Sequence, residues 1–96
     1  MNRVFIRPLA RKDIKKIWHY SYAIWGVKQA DIYTKELGSA ISSLIENPNI
    51  GRSINRIMQG YNLYQFKHHL IVYKIVPSGI DVVRILAENM NIRLHI

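Results

Sequence analysis

Residues 14–45, IKKIWHYSYAIWGVKQADIYTKELGSAISSLI, decide the fold. Ile14, Ile17, Trp18, Ser21, Tyr22 and Trp25 recur at steps of three and four, which gathers them on one side of a 3.6-residue helix. Beyond Gly26 the same steps return in Ala30, Tyr33, Leu37, Ile41, Leu44 and Ile45. Lys12, Lys15, Lys16, His19, Lys28, Lys35 and Glu36 fall on the opposite faces and are expected to be solvated. Gly26 lacks a Cβ and can take the left-handed conformation that ends a helix. So short a connection makes the two helices antiparallel neighbours. Their apolar stripes then face the same way and require a third surface. Trp18, Trp25, Tyr33, Leu37, Ile41 and Leu44 are the residues expected to be buried against it.

That surface is a sheet. Val4-Phe5-Ile6 reads as a short strand, ended by Pro8, which has no N–H for a ladder. The first helix should begin near Leu9 to Arg11, with Asp13 in its first turn, where a carboxylate complements the macrodipole. The second should stop at Asn47, because a residue before proline avoids helical angles. Asn49 to Gln59 is a basic connector pinned by Ile54, Ile57 and Met58. After Gly60 the period shortens. Tyr61–Phe66, His69–Val76 and Ile80–Leu86 read as strands, separated by turns at Lys67-His68 and Pro77-Ser78-Gly79. Tight connections imply an antiparallel meander. Apolar residues on both parities imply burial of both faces, so the face away from the helices needs cover from the C-terminal tail, the first strand's surroundings or a partner.

The chain has 96 residues, enough for one domain over 1–96 and one modest core; a chain of this size buries roughly 60–65% of its unfolded surface. No apolar run approaches the roughly 20 residues that span a bilayer. The N-terminal stretch has no long apolar centre and no small-residue cleavage site, so a signal peptide is not expected. There is no cysteine, which removes disulfides and thiolate metal sites and fits a cytoplasmic location. Fourteen Lys and Arg against six acids give a formal charge of +8. A small domain this basic suits an acidic partner: nucleic acid, an anionic membrane surface or an acidic protein segment.

Few residues suggest catalysis. His68 and His69 are adjacent, and strand neighbours point to opposite faces, so they do not make a metal pair. There is no phosphate loop and no nucleophile elbow. Neither a metal nor another cofactor is expected. Arg84 sits among apolar strand residues, on the side of Val82 and Leu86, and needs an anionic partner. Glu46 or Glu88 would make it a structural ion pair; otherwise it binds an anion or a protein. Tyr64, Tyr73, Lys67, Lys74, His68, His69 and Arg84 supply the residue types of a metal-independent ribonuclease, which needs a base, an acid and cations. A plain DNA-binding module is a further reading, but no helix-turn-helix pattern is present.

Several spaced motifs together resemble a known family. Asp13-Ile14, Ile17 to Tyr20, Trp25-Gly26, Gln29-Ala30, Tyr33, Leu37, Pro48 and Gly51-Arg52 match the ParE branch of the ParE/RelE toxin superfamily. Gly60-Tyr61, His69 to Tyr73, Val83 to Leu86 and Met90 continue the match. The resemblance implies an α+β, RelE/ParE-like β-α-α-β-β-β fold with a helical hairpin on a mainly antiparallel sheet. It implies a toxin of a bacterial type II toxin–antitoxin system, in a hetero-oligomer with an antitoxin whose acidic tail wraps it. ParE members poison DNA gyrase without enzymatic chemistry and block replication; RelE members cut mRNA on the ribosome. Trp-Gly-x-x-Gln-Ala at 25–30 is the ParE form. Ala87 and Asn91 stand where the family often has His and Asp, which removes one candidate acid or base. The candidate target- or partner-binding residues are Arg52, Arg56, Tyr64, Tyr73, Lys74, Arg84 and Arg93. Tyr22, Ile24, Leu63 and Tyr64 are expected to offer apolar contacts to the antitoxin.

Overall fold

The structure is a computed structural model that describes residues 3–96. Its elements are β1 (Arg3–Ile6), α1 (Pro8–Trp25), α2 (Val27–Glu46), a 3-10 turn (Pro48–Ile50), β2 (Arg52–Ser53), β3 (Asn62–Phe66), β4 (His69–Val76), β5 (Gly79–Ala87) and α3 (Ile92–His95). The strands form one sheet in the order β1-β5-β4-β3-β2. β1 runs parallel to β5, in register Ile6↔Val82, and the other pairings are antiparallel. The β-α-α-β-β-β order expected above is present. Two additions escaped the sequence reading: the two-residue edge strand β2 inside the connector, and α3 in the tail.

The hairpin lies on one face of the sheet. α2 buries Ala30, Leu37, Ile41 and Leu44, as its spacing predicts. On α1 the buried line is Ala10, Asp13, Ile17 and Ser21, about one residue round from the expected stripe. Trp25 is therefore not a core residue. It is the last residue of α1, at the hairpin tip, and 63% exposed. Trp18 is half-buried on the flank, where its indole N–H donates to Asp31 Oδ1 at 2.9 Å and its ring stacks on Tyr22. Gly26 has φ 92° and ψ 175°, not left-handed helical but a glycine-only conformation with extended ψ. Asp13 lies in the second turn, because α1 begins at Pro8, so it does not serve the helix dipole.

Two clusters fill the two faces. Beneath the helices, Ile71, Tyr73, Ile80, Val82 and Ile85 meet Leu37, Ile41 and Leu44. On the far face Ile54, Leu63 and Leu70 are covered by Tyr61 and Ile92, so the connector and the tail supply the second cover. Ile54 pins the connector; Ile57 is 44% exposed and does not. A bulge separates the two halves of β5: Tyr73 pairs with Val82 while Val72 pairs with Arg84, leaving Val83 extra. The bulge flips parity, so Arg84 shares the far face with Leu86 but not with Val82.

Leu37→Ala should lower stability by about 2–5 kcal/mol, from lost transfer energy and the cavity left behind. Trp25→Ala, on an exposed ring, should stay within about 0.5 kcal/mol of the parent. Urea unfolding midpoints check both, and an unmoved midpoint for Leu37→Ala would overturn the stripe assignment.

Candidate functional site

β1 stops pairing with β5 at Val82, and Asp13 of α1 takes over the open edge beyond it. Its Oδ2 accepts the Ile85 backbone N–H at 3.0 Å. The same carboxylate receives Arg84 Nε at 2.7 Å and Arg84 Nη2 at 2.9 Å, a two-pronged geometry that suits a guanidinium. Arg84 Nη1 donates to the His95 carbonyl at 2.8 Å, which ties the tail to the same junction. Hydrogen bonding to Asp13 raises the Arg84 pKa above its ordinary value, against a smaller opposing effect of burial. The partner is thus Asp13, not Glu46 or Glu88. Asp13 was detectable as a carboxylate three residues from Ala10 and four from Ile17, on a buried line.

A groove of about 660 Å³ opens beside this junction, between α1 and the adjoining ends of β4 and β5. Lys16, Ile17 and Tyr20 line its helical wall, and His68, His69, Glu88 and Met90 line the other. Tyr33 Oη and His69 Nδ1 lie 2.7 Å apart and share a hydrogen bond. Burial lowers the His69 pKa, helped by the neighbouring His68, so the ring is neutral at pH 7. Burial raises the Tyr33 pKa. At the rim, His68 Nδ1 meets Glu88 Oε2 at 2.7 Å, and Gln65 Nε2 donates to Glu88 Oε1 at 3.2 Å. Lys67 holds the β3–β4 turn to α2 through Glu36 at 2.8 Å. No cluster of three or more potential metal-ligating side chains occurs among the described residues.

The sequence candidates separate into two groups. Tyr73 is 0% exposed, and its hydroxyl donates to the Pro48 carbonyl at 2.6 Å. It is a core residue and presents nothing to a partner, since its β4 parity points it at the helices. A Cβ at position 51 would overlap its hydroxyl, so Gly51 is needed for this contact. Tyr64 packs half-buried against the same cluster, and Leu63 is buried on the far face; neither offers the open apolar surface expected of it. Arg84 is committed to Asp13, with 15% of its side chain exposed. Tyr22 and Ile24 are exposed as expected. Arg52, Arg56, Lys74 and Arg93 lie on or next to the elements that form the far-face cluster. Arg52 and Arg56 flank a shallow depression of about 520 Å³ with Ser53, Asn55 and Ile57. Lys74 Nζ sits 5.0 Å from the Tyr61 ring centroid, a cation–π placement, and Arg93 follows the buried-side Ile92 on α3.

The element order and sheet make an α+β domain of RelE/ParE-like fold. A sequence model of the family described as "ParE toxin of type II toxin-antitoxin system, parDE" matches residues 4–92, and the chain belongs to that family. Relatives include Toxin ParE1 of Mycobacterium tuberculosis, 37% identical over 92 residues and covering 95% of this chain and 94% of its own length. Toxin ParE1 of Caulobacter vibrioides is 33% identical over 87 residues, with coverage of 91% and 90%. A solved chain described as belonging to the chromosomal ParDE TA system from P. aeruginosa superposes with a TM-score of 0.80 at 15% identity, over 91% of this chain and 96% of that one; it carries the same fold.

Asp13→Ala leaves a largely buried guanidinium without its carboxylate and should cost about 3–5 kcal/mol in urea unfolding. His69 makes a separate prediction. Its folded pKa is lowered, so below the unfolded value of 6.5 the unfolded chain binds the proton more readily. Its contribution to stability is complete above that pH and is lost as pH falls towards and through the folded value. The unfolding midpoint should therefore fall more steeply between pH 7 and 5 in the parent than in His69→Gln; parallel curves would overturn it.

Proposed function

We propose that this chain is the toxin of a parDE module, a cytoplasmic protein that poisons DNA gyrase on cleaved DNA and so blocks replication, and that an antitoxin neutralises it in a hetero-oligomer. The carrying observation is family membership across residues 4–92, with the ParE-form Trp-Gly-x-x-Gln-Ala at 25–30. The relatives are named as toxins and not as enzymes, which accords with a protein that acts by binding. An antitoxin tail rich in carboxylates and apolar side chains suits the charge of +8 and the exposed Tyr22, Ile24, Trp25 and Val27 at the hairpin tip. Ordering such a tail on binding consumes part of the contact energy, and charge mainly accelerates the encounter.

The test uses purified toxin with gyrase, ATP and supercoiled plasmid, and in parallel with translating ribosomes. Linear plasmid should accumulate after detergent and protease treatment, and prior addition of the cognate antitoxin should abolish it. Cleaved mRNA with intact plasmid would replace this reading by the RelE-like endonuclease.

A further inference from the structure

We propose that the sheet face opposite the helical hairpin is a phosphate-binding surface through which the toxin holds duplex DNA directly. The inference rests on the gyrase reading, to which it adds a second contact: the toxin touches the DNA as well as the enzyme.

The argument begins with the distribution of charge. Among the described residues Arg7, Lys67 and Arg84 are the Lys and Arg side chains in ion pairs, so most of the positive charge is unpaired. Four of the unpaired cations surround one small apolar cluster. Arg52 stands in a row across the sheet with Leu63, Val72 and Arg84. Arg56 shares its depression, whose floor includes Ile54. Lys74 is held over Tyr61, and Arg93 adjoins Ile92; Ile54, Tyr61 and Ile92 all belong to that cluster. Asp81 of β5 stands directly across from Lys74 in the sheet register but is held by Arg7 at 2.8 Å, and Glu88, one residue beyond β5, is hydrogen-bonded to His68 at 2.7 Å. Asp31, Glu36 and Glu46 are on α2, on the other side of the sheet.

Three of the four cations are arginines on or beside ordered elements. A guanidinium meets a phosphate oxygen pair with two parallel donors in a planar fork. Ser53 and Asn55 lie between Arg52 and Arg56 in the same depression, their side-chain oxygens accepting the Asn55 and Gly60 backbone N–H groups and so shaping the connector. The lysines of α1 carry comparable charge, but on long flexible stems along a solvated helix. An acidic peptide would need apolar pockets to fix its register. Here the cluster is already covered by Ile54, Tyr61 and Ile92, and what remains is charge. That combination fits a ligand recognised by its backbone phosphates and not by sequence.

The experiment titrates the free toxin into a fluorescent 20-base-pair duplex at several salt concentrations, following anisotropy. Each phosphate contact contributes about 0.9 to the slope of log K against log salt. Four contacts give a slope near −3.6, so affinity should fall roughly 100-fold between 50 and 200 mM salt. Arg52→Gln/Arg56→Gln should weaken binding at least tenfold at low salt and reduce the slope by about 2. The charge-matched Lys12→Gln/Lys15→Gln should leave the slope within about half a unit of the parent, and equal thermal midpoints verify that all variants are folded. Equal losses in the two doubles would mean that net charge alone binds DNA, and would overturn the proposal. Equal binding of poly-L-glutamate of matched charge would reassign the face to an acidic peptide, and tighter binding of single-stranded RNA would reassign it to RNA. The gyrase assay is read separately: a parent toxin that binds the duplex but traps no cleaved plasmid would remove the gyrase reading and leave the DNA surface standing.

Discussion

One carboxylate organises the fold. Asp13 is the point at which α1, the unpaired half of β5 and the C-terminal tail meet. Its two oxygens satisfy a backbone N–H of the strand edge and both prongs of Arg84, which in turn holds the His95 carbonyl. A sheet edge that ends inside a protein carries groups that must be bonded or wet. β1 is too short to cover β5 beyond Val82, and the helix completes the edge with a side chain instead of a strand. Burying two charges has a desolvation cost, and hydrogen bonding that uses both carboxylate oxygens offsets it. The arrangement also fixes the hairpin over the sheet, since α1 is anchored at Asp13 and α2 follows through Gly26.

The periodic features of the chain were legible because they report burial directly. The α2 stripe, β4 and the sharp turn at Lys67-His68 follow from spacing and turn chemistry. What could not be read depends on contacts distant in sequence. The bulge at Val83 reverses the facing of Arg84, and no local pattern announces an extra residue that is defined by its pairing with Tyr73. Trp25 fits the helical period but lies past the end of the sheet-covered segment, so its period carried no burial. β2 is two residues long and is a strand only because β3 is there to pair with it. Among the site candidates, Arg52, Arg56, Lys74 and Arg93 were chosen for their charge, which the sequence prints, while the elements that bring them to one face depend on the fold. Tyr73 was misplaced because a tyrosine on a strand looks the same in sequence whether its hydroxyl reaches solvent or the Pro48 carbonyl.

The two faces of the sheet therefore have different work. The helix-side face is committed to packing, and Tyr73, Ile71 and Val82 leave no room for a ligand. The groove beside Asp13 is lined by His69, which shares a hydrogen bond with Tyr33 of α2, and by the hydrogen-bonded His68 and Glu88 at its rim. Their hydrogen bonds are directed within the protein. The far face is different: a thin apolar layer is enough to hold the connector and tail, and around it the charged groups point to solvent.

That division bears on why the charge is there at all. Like charges collected on one surface repel, and in a chain of 96 residues the small core has little stability in reserve. Where stability was the constraint, this protein paired its cations: Arg84 with Asp13, Arg7 with Asp81, Lys67 with Glu36. Arg52, Arg56, Lys74 and Arg93 contribute no such pairing to the fold. An approaching anionic surface would turn such charge into attraction in a complex. On the proposed function, a toxin captured by an antitoxin and acting on DNA-bound gyrase would use that attraction twice. Unpaired charge would speed both encounters through its long-range field, while the exposed apolar tip of the hairpin and the arginine-bearing sheet face would offer the two partners different short-range contacts.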